Sequence, residues 1–491
     1  METFTELFEM GTGMVIPTAY DTAWVARLEE IDKDISNKAL AWLCQHQLSD
    51  GSWGAREPFY YHDRVISTLA AMIALAHRGK RLIDRIQIEK GLVALEQITN
   101  GATRGLIADH GATVGFEMIV PTLVLEAERI GIIKRQGDRI LGKLARQRAA
   151  KLEILGGRKV NCEMPLAFSS EMAGEDSKGM LDINNLLEKD GSVSHSPSAT
   201  AYFLLQIQPD NQKSLEYLKS TVSDTGGVSY AVPFEICELA WVLWNVGLLE
   251  HIDDKTLELC KPGLEYLRAA WNNKGVGFSA EHSVVDGDDT SVVFDVLTRF
   301  GYKIDPDALF SFEEKTHFRC YTMEIANSIS TNVHFLRAFR QCGFDSKHPV
   351  ILKITDFLRR SMQNNSYWFD KWNASPFYTT AHAIISLIGI DDSLAQNAVN
   401  WILANQQANG SWGYYNSTAE ETAYALQVLC IWKRHGCMVS KDTLTKGSQW
   451  LRQHGEPPYP YLWLAKTQFY SEWIIRAEIL SALKLVDEAF Q

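Results

Sequence analysis

Trp42-Leu43-Cys44-Gln45-His46-Gln47-Leu48-Ser49-Asp50-Gly51-Ser52-Trp53-Gly54 recurs 359 residues later as Trp401-Ile402-Leu403-Ala404-Asn405-Gln406-Gln407-Ala408-Asn409-Gly410-Ser411-Trp412-Gly413. The shared pattern is W-φ-x-x-x-Q-x-x-x-G-S-W-G, with φ apolar. An internal repeat is weighed before other local signals, because it reports a recurring structural unit. The unit reads as the end of an apolar helix, a glycine turn, and a Trp that packs back over it. Gln47 and Gln406 are suited to satisfy the loose backbone groups at such a helix end. Weaker echoes are Gly275-Val276-Gly277-Phe278 after Trp271, and Gln363 to Trp368. Two strong copies so far apart predict two related helical barrels.

Helical periodicity runs outward from these turns. Asp63–Arg78, Phe234–Leu249, Val333–Arg340, Ala381–Leu387, Thr418–Trp432 and Trp473–Leu485 place apolar residues at spacings of three and four. Most of the 33 Gly and 14 Pro fall between such segments, and no convincing strand alternation occurs, so the chain reads as all-α with short connections. The expected division is a first helix at 1–19, one barrel over 20–220, and a second barrel over 221–491 that includes that first helix. The boundary falls in Thr221–Gly227, a polar, turn-rich stretch.

Composition excludes several functions. The chain has 491 residues, 46% hydrophobic and 22% charged, which rules out a largely disordered protein. Its net charge of −12 with no basic block argues against nucleic acid or an anionic membrane surface as partner. No apolar run approaches the ~18–20 residues that span a bilayer, and no long basic amphipathic helix suggests a stable membrane anchor. Met1–Met10 carries three Glu and no Lys or Arg, unlike a secretory signal. The eight Cys are scattered without a CxxC, so neither a zinc knuckle nor a disulfide framework is expected. A cytoplasmic protein is the expectation. The 14 Trp, 17 Tyr and 21 Phe suffice to line a large apolar cavity, or simply to fill a large core.

Asp286-Gly287-Asp288-Asp289-Thr290 carries the candidate chemistry. Three carboxylates lie just before an apolar helix, Ser291–Phe300. One reading is helix capping, in which free N–H groups and the helix dipole favour the charged forms. The other is that carboxylates this close cannot all ionise cheaply, so one keeps its proton and serves as a general acid. In an aromatic-rich cavity a C=C bond is a suitable acceptor, because aromatic faces stabilise the resulting cation.

Several segments, in order along nearly the whole chain, resemble the class II diterpene cyclases, the copalyl-type diphosphate synthases. They are Ala19-Tyr20-Asp21-Thr22-Ala23-Trp24-Val25-Ala26, Gln47–Trp53 with Asp63–Ala70, Gly115-Phe116-Glu117 to Pro121, Asp190-Gly191-Ser192 to Ala201, the DxDD run with its following Thr290, and Asp370-Lys371-Trp372. Within the family the bacterial halimadienyl (tuberculosinyl) type is the nearest likeness. The resemblance implies two α-helical barrels, β and γ, with γ inserted after the first helix of β. It implies geranylgeranyl diphosphate as substrate, a cavity between the barrels, and a product that keeps the diphosphate and passes to a separate downstream enzyme. Related two-barrel enzymes are often homodimers.

Carried over by motif position, Asp288 is the general acid, and Asp286 and Asp289 hold its geometry. Asn332 matches the Asn that touches the acid in plant members. Lys371 and Arg64 are candidates for the diphosphate, and Trp368, Phe369, Trp372 and Tyr378 for an aromatic wall. The family implies Mg²⁺, but its acidic patch is reduced here to Ala108-Asp109-His110, with Glu117 the remaining candidate ligand; few carboxylates with phosphate oxygens can suffice. Each of these side chains has an ordinary alternative as cap, core or ion pair. Plant members hold a deprotonating water with a His and an Asn. Here these positions align with Ser170 or Ser169 and with Tyr230, so early proton loss lacks a base. That favours a rearranged halimadane- or clerodane-type (kolavenyl) diphosphate over plain copalyl diphosphate.

Asp253-Asp254-Lys255-Thr256-Leu257-Glu258 and Asp391-Asp392-Ser393-Leu394-Ala395 do not match the sites that ionise a diphosphate, and both look like helix starts. A squalene-hopene-type cyclase shares DxDD and the Q-to-W repeat, but those chains are longer and richer in repeats. A protein prenyltransferase-like barrel needs an Asp, Cys and His zinc set that no Cys here fits. A helical-barrel binding module with capping carboxylates is the non-enzymatic alternative.

Overall fold

The computed structural model describes residues 3–79, 81–100, 111–134, 138–324 and 326–490. Helix α1 (Phe4–Met10) opens the chain. Then follow α2 (Ala19–Ala26), α3 (Lys33–Gln45), α4 (Tyr61–Arg78), α5 (Leu82–Asn100), α6 (Phe116–Arg129), α7 (Asp138–Leu155), a 3₁₀ segment (Pro165–Ala173), α8 (Pro197–Gln206) and α9 (Gln212–Thr221). The rest comprises α10 (Glu235–Val246), α11 (Asp254–Ala270), α12 (Gly287–Arg299), α13 (Ile329–Gln341), α14 (Pro349–Ser361), α15 (Pro376–Leu387), α16 (Asp392–Ala404), α17 (Ala419–Arg434), α18 (Lys441–His454) and α19 (Glu472–Ala489). Single turns at Ser177–Met180 and Asp307–Phe310 are connectors. Two antiparallel pairs, Pro17–Thr18 with Val228–Ser229 and Trp463–Leu464 with Gln468–Phe469, are the extended elements among the described residues. The fold is all-α.

The inner helices close two rings. Around the first, each of α2, α4, α6, the 3₁₀ segment and α8 packs on the next, and α8 returns to α2. Around the second, α10, α12, α13, α15, α17 and α19 do the same, with α19 back on α10. The remaining helices pack outside. Because the inner helices are apolar on nearly every face, Tyr61–Leu75 of α4 and Pro376–Leu387 of α15 are buried throughout. One core gathers Ala19 to Val228, and the other gathers Tyr230 to Val486. Phe4, Leu7 and Val15 belong to this second core, and α1 packs on α11 and α19.

The repeated turns show why the sequence folds this way. In three copies an indole N–H donates to the carbonyl ten residues upstream: Trp53 to Leu43 (2.9 Å), Trp368 to Leu358 (2.8 Å) and Trp412 to Ile402 (2.8 Å). Each Trp backbone N–H then donates to a Thr hydroxyl on the next inner helix, Thr68, Thr380 and Thr422, all at 3.0 Å. Val193 with Thr200 and Val276 with Thr290 make the same backbone bond without the indole. Gln47 Nε2 donates to Gly51 O and Gln87 O, and Gln406 Nε2 to Gly410 O and Thr443 O, tying each turn to an outer helix. Gly51 and Gly410 have φ of +89° and +95°, and a Cβ on either would stand 2.6 or 2.7 Å from the carbonyl oxygen of Lys90 or Lys446. Glycine is required at both for conformation and for space.

The barrels meet along the Trp463–Phe469 hairpin. Val114 N donates to Ala465 O, Tyr461 N to Glu57 O, and Gln468 N to the buried Asp63 carboxylate. Lys466, fully buried, donates to Glu171 Oε1 at 2.6 Å and to the hydroxyls of Ser196 and Ser198 at 2.8 Å. Among the described residues no helix is long and apolar enough to cross a membrane.

Candidate active site

A cavity with ≈ 950 Å³ of atom-free space, mouth included, lies between the barrels. Val114, Pro165, Phe168 and Ser194 enter from the first barrel and Ala465 and Phe469 from the hairpin. Tyr230, Phe234, Trp241, Phe278, Tyr321, Trp372, Tyr378 and Trp463 supply most of the aromatic wall, and Asp286, Asp288 and Asp289 reach into it.

The three carboxylates are both cap and cluster. Asp286 is the N-cap of α12, with Oδ1 accepting from Asp289 N at 2.8 Å and Oδ2 3.5 Å from the Tyr321 hydroxyl. Burial pushes Asp286 up to about 7 against these hydrogen bonds, and the neighbouring Asp288 adds to the rise. Asp289 is raised well above the carboxylate range, by burial first and then by Asp286; its Oδ1 has no partner. The capping reading therefore holds for the Asp286 side chain, while its prediction of lowered pKa values fails, because desolvation outweighs the helix N-terminus. Gly287 lets this loop form: its N–H donates to Cys320 O at 2.8 Å, and a Cβ there would stand 2.4 Å from Arg319 O.

Asp288 has a different surrounding. Its Oδ1 lies 2.7 Å from His334 Nδ1, and His334 Nε2 lies 2.9 Å from His382 Nδ1. His382 is stacked on Trp244 with centroids 4.4 Å apart, its Nε2 is buried without a partner, and burial drives it well below the ordinary histidine value. A neutral His382 donates from Nδ1, so His334 accepts at Nε2 and donates from Nδ1 to Asp288, a tautomer set inferred from the bonding. His334 then steadies the carboxylate that remains once Asp288 has given up a proton.

Sequence comparison selected Asn332 for this position, and the structure corrects that. The Asn332 side chain accepts from Phe318 N at 2.8 Å and donates to Phe318 O and Ser328 O, tying a loop to the start of α13. Two residues on a helix turn the side chain by about 200°, which is why His334 faces Asp288 and Asn332 does not. Trp368 is also reassigned: it is fully buried and bonded as a repeat Trp, outside the cavity. Phe369 packs beside Tyr367 and Tyr414, away from the cavity. Trp372, Tyr378 and Tyr230 do line it, with Tyr378 accepting from Trp241 Nε1 at 3.2 Å and Tyr230 4.1 Å from the Phe469 ring.

The expected cations are committed elsewhere. Arg64 donates to Asp50, Ser52 and the carbonyls of Ala55 and Arg56, holding its own turn closed. Lys371 pairs with Glu324 and sits 4.8 Å over the Trp372 ring, outside the cavity lining. Glu117 pairs with Lys151, also away from the cavity. Among the described residues no group of three or more His, Cys, Asp or Glu is placed to hold a metal ion. Ala108-Asp109-His110 lies outside the described residues. Ser170 donates to Ala167 O, and burial keeps the Tyr230 hydroxyl in its neutral form. Asp253 and Asp391 are helix N-caps, accepting from Thr256 N and Leu394 N.

Comparison with known proteins agrees with this architecture. The squalene-hopene cyclase C-terminal domain matches residues 323–461. The type B diterpene cyclase of Mycobacterium tuberculosis is 45% identical, with 100% of both chains covered. The chloroplastic bifunctional levopimaradiene synthase of Ginkgo biloba is 30% identical over 74% of this chain and 42% of its own, so the chain spans under half of that plant relative. The solved ent-copalyl diphosphate synthase from Streptomyces platensis superposes with a TM-score of 0.79 at 27% identity, covering 99% of this chain and 98% of that one. Two αα barrels with a carboxylate-bearing aromatic cavity between them define a terpene cyclase of class II. The chain belongs to the diterpene cyclases of that class.

Proposed function

We propose that the protein cyclises geranylgeranyl diphosphate by proton transfer from Asp288, keeps the diphosphate on the product, and releases a rearranged bicyclic diphosphate. The observation that carries this reading is the Asp288–His334–His382 chain opening onto an aromatic cavity. A proton placed on the terminal C=C of a folded C20 chain makes a tertiary cation, and attack by the next double bonds closes two rings. Hydride and methyl shifts follow because no base stands at the Ser170 and Tyr230 positions. This supports a halimadane or clerodane skeleton over copalyl diphosphate. Remote binding of the diphosphate tail favours the reactive fold.

The test is to incubate the protein with geranylgeranyl diphosphate and Mg²⁺, remove the phosphates, and identify the alcohol by mass spectrometry and NMR. A bicyclic alcohol with migrated methyls is expected. An unrearranged copalol would overturn the skeleton assignment, and recovered geranylgeraniol would overturn the substrate. A parallel run with EDTA reads the magnesium dependence that the family resemblance implies.

The acid cluster also sets a pH dependence. Asp286 and Asp289 hold protons because burial raises both, Asp286 to about 7, and the two titrate together. The form with both protonated is the active one, so turnover is full well below pH 7 on this limb and falls as pH rises through about 7. Single-turnover rates from pH 6 to 9 check this; a rate that holds steady to pH 9 would remove the shared-proton cluster from the mechanism.

A further inference from the structure

The cavity lining holds two chemically different regions. Near Asp288, the rings of Trp241 and Tyr378 surround His334, at 5.6 and 6.3 Å. Elsewhere in the lining, His282 stands beside Phe278, with ring centroids 4.3 Å apart. Phe168 and Phe234 lie 6.3 and 5.6 Å beyond Phe278. The loop carrying His282 belongs to the second barrel, but its ring faces Glu188 and His195 of the first. His282 Nδ1 stands 3.3 Å from Glu188 Oε1, and Ser283 N and Oγ donate to the same carboxylate at 3.2 and 2.5 Å. His195, paired with Asp190 at 3.1 Å, packs against the His282 ring at 5.3 Å.

We infer that His282 is the base that ends the cation cascade, taking the final proton at Nε2 while the Glu188 carboxylate faces its Nδ1. This rests on the cyclase reading above and adds the residue that closes the reaction. The other polar groups of the lining are poor candidates. Cys237, Cys320, Tyr230, Tyr321 and Tyr378 are all held in their neutral, proton-bearing forms by burial. The Asp cluster is the proton source, and Ser194 is a hydroxyl. Burial likewise keeps His282 below the ordinary histidine value, which leaves a neutral imidazole near pH 7. The aromatic rings beside it stabilise a nearby cation long enough to be deprotonated. The step balances: the C–H bond next to the last cationic carbon breaks, its electron pair forms the C=C bond, and the proton goes to Nε2. One proton enters from Asp288 and one leaves to His282, so substrate and product are isomers. The imidazolium formed faces Glu188, whose charge offsets it.

The experiment compares wild type, His282→Ala and His282→Gln with geranylgeranyl diphosphate, measuring total consumption and each product. Gln keeps the volume and a donor for Glu188 but cannot accept this proton, which guards against an effect of folding alone. In both variants the wild-type alkene is expected to fall about 100-fold. Substrate still protonated by Asp288 diverts to isomeric alkenes or to alcohols formed by water capture. The inference is overturned if both variants make the wild-type product within about threefold of its rate. It is also overturned if all products fall in step, the mark of a structural role. Wild type that leaves the substrate uncyclised would overturn the cyclase reading itself; a cyclising wild type with indifferent variants would overturn the assignment of His282 alone.

Discussion

Asp288→Ala abolishes cyclisation of geranylgeranyl diphosphate, with turnover down at least ~10³-fold, within the range for removal of a general acid. A C=C bond is a weak base, and nothing else in that region of the cavity is arranged to protonate it. Asp289 also borders the cavity, but burial raises its pKa well above the carboxylate range and makes it the weaker acid, and Asp286 is held as the helix cap by Asp289 N. The loss leaves the fold intact, because Asp288 makes one side-chain contact, to His334, and its side chain is 16% exposed. Circular dichroism and thermal melting of the variant should therefore match wild type, which separates this result from an unfolded protein. His334→Phe is expected to slow the reaction by a smaller factor, because it removes the partner of the departing carboxylate and leaves the acid in place. If Asp288→Ala retained a tenth or more of wild-type activity, the proton would have to come from elsewhere, and the binding-module reading of the carboxylates would regain its ground.

How much of this was legible beforehand depends on the range of the signal. The turn motif is local, so Gln47 and Gln406 could be placed on their carbonyls and the Trp residues on their helix ends. The same pattern, followed one step further, would have reassigned Trp368, which sits five residues after Gln363 but lacks the glycine that marks the strong copies. Asp286 to Asp289 declare themselves by crowding, and the outcome between cap and acid depended on burial, which no local pattern reports. His334 and His382 sit on separate inner helices, 48 residues apart, and only the closure of the second ring brings them together. Arg64 and Lys371 were chosen for their charge, but their partners, Asp50 and Glu324, lie in turns whose geometry decides the pairing. Lys466 went unremarked because a lone lysine between two apolar stretches carries no mark of being the buried link between barrels.

That link supports the second large expectation. Lys466→Met leaves Glu171 fully buried, with the Tyr20 hydroxyl at 2.9 Å and the Ser198 hydroxyl at 3.3 Å as its remaining donors. Breaking a buried pair by removing one partner costs about 3–5 kcal/mol, because the other charge is stranded in a medium that cannot solvate it. At roughly 1 °C per kcal/mol for a chain of this size, the midpoint of thermal unfolding should fall by about 3–5 °C. The damage should reach the cavity as well. Lys466 Nζ lies 4.5 Å over the Phe168 ring, and its neighbour Ala465 accepts from Val114 N at 2.8 Å; Phe168, Ala465 and Val114 all line the cavity. Loosening the hairpin therefore changes the shape against which the substrate folds, and a shift in product ratio should accompany the loss of stability. The double variant Lys466→Met with Glu171→Leu discriminates between a stranded charge and a lost contact. Replacing both members of a buried pair with apolar groups is often close to neutral, so the double variant should recover most of the lost melting temperature. If the single variant melted within 2 °C of wild type, Glu171 would have to be neutral or reached by water in the folded protein, and the buried pair would not be what holds the two barrels in register.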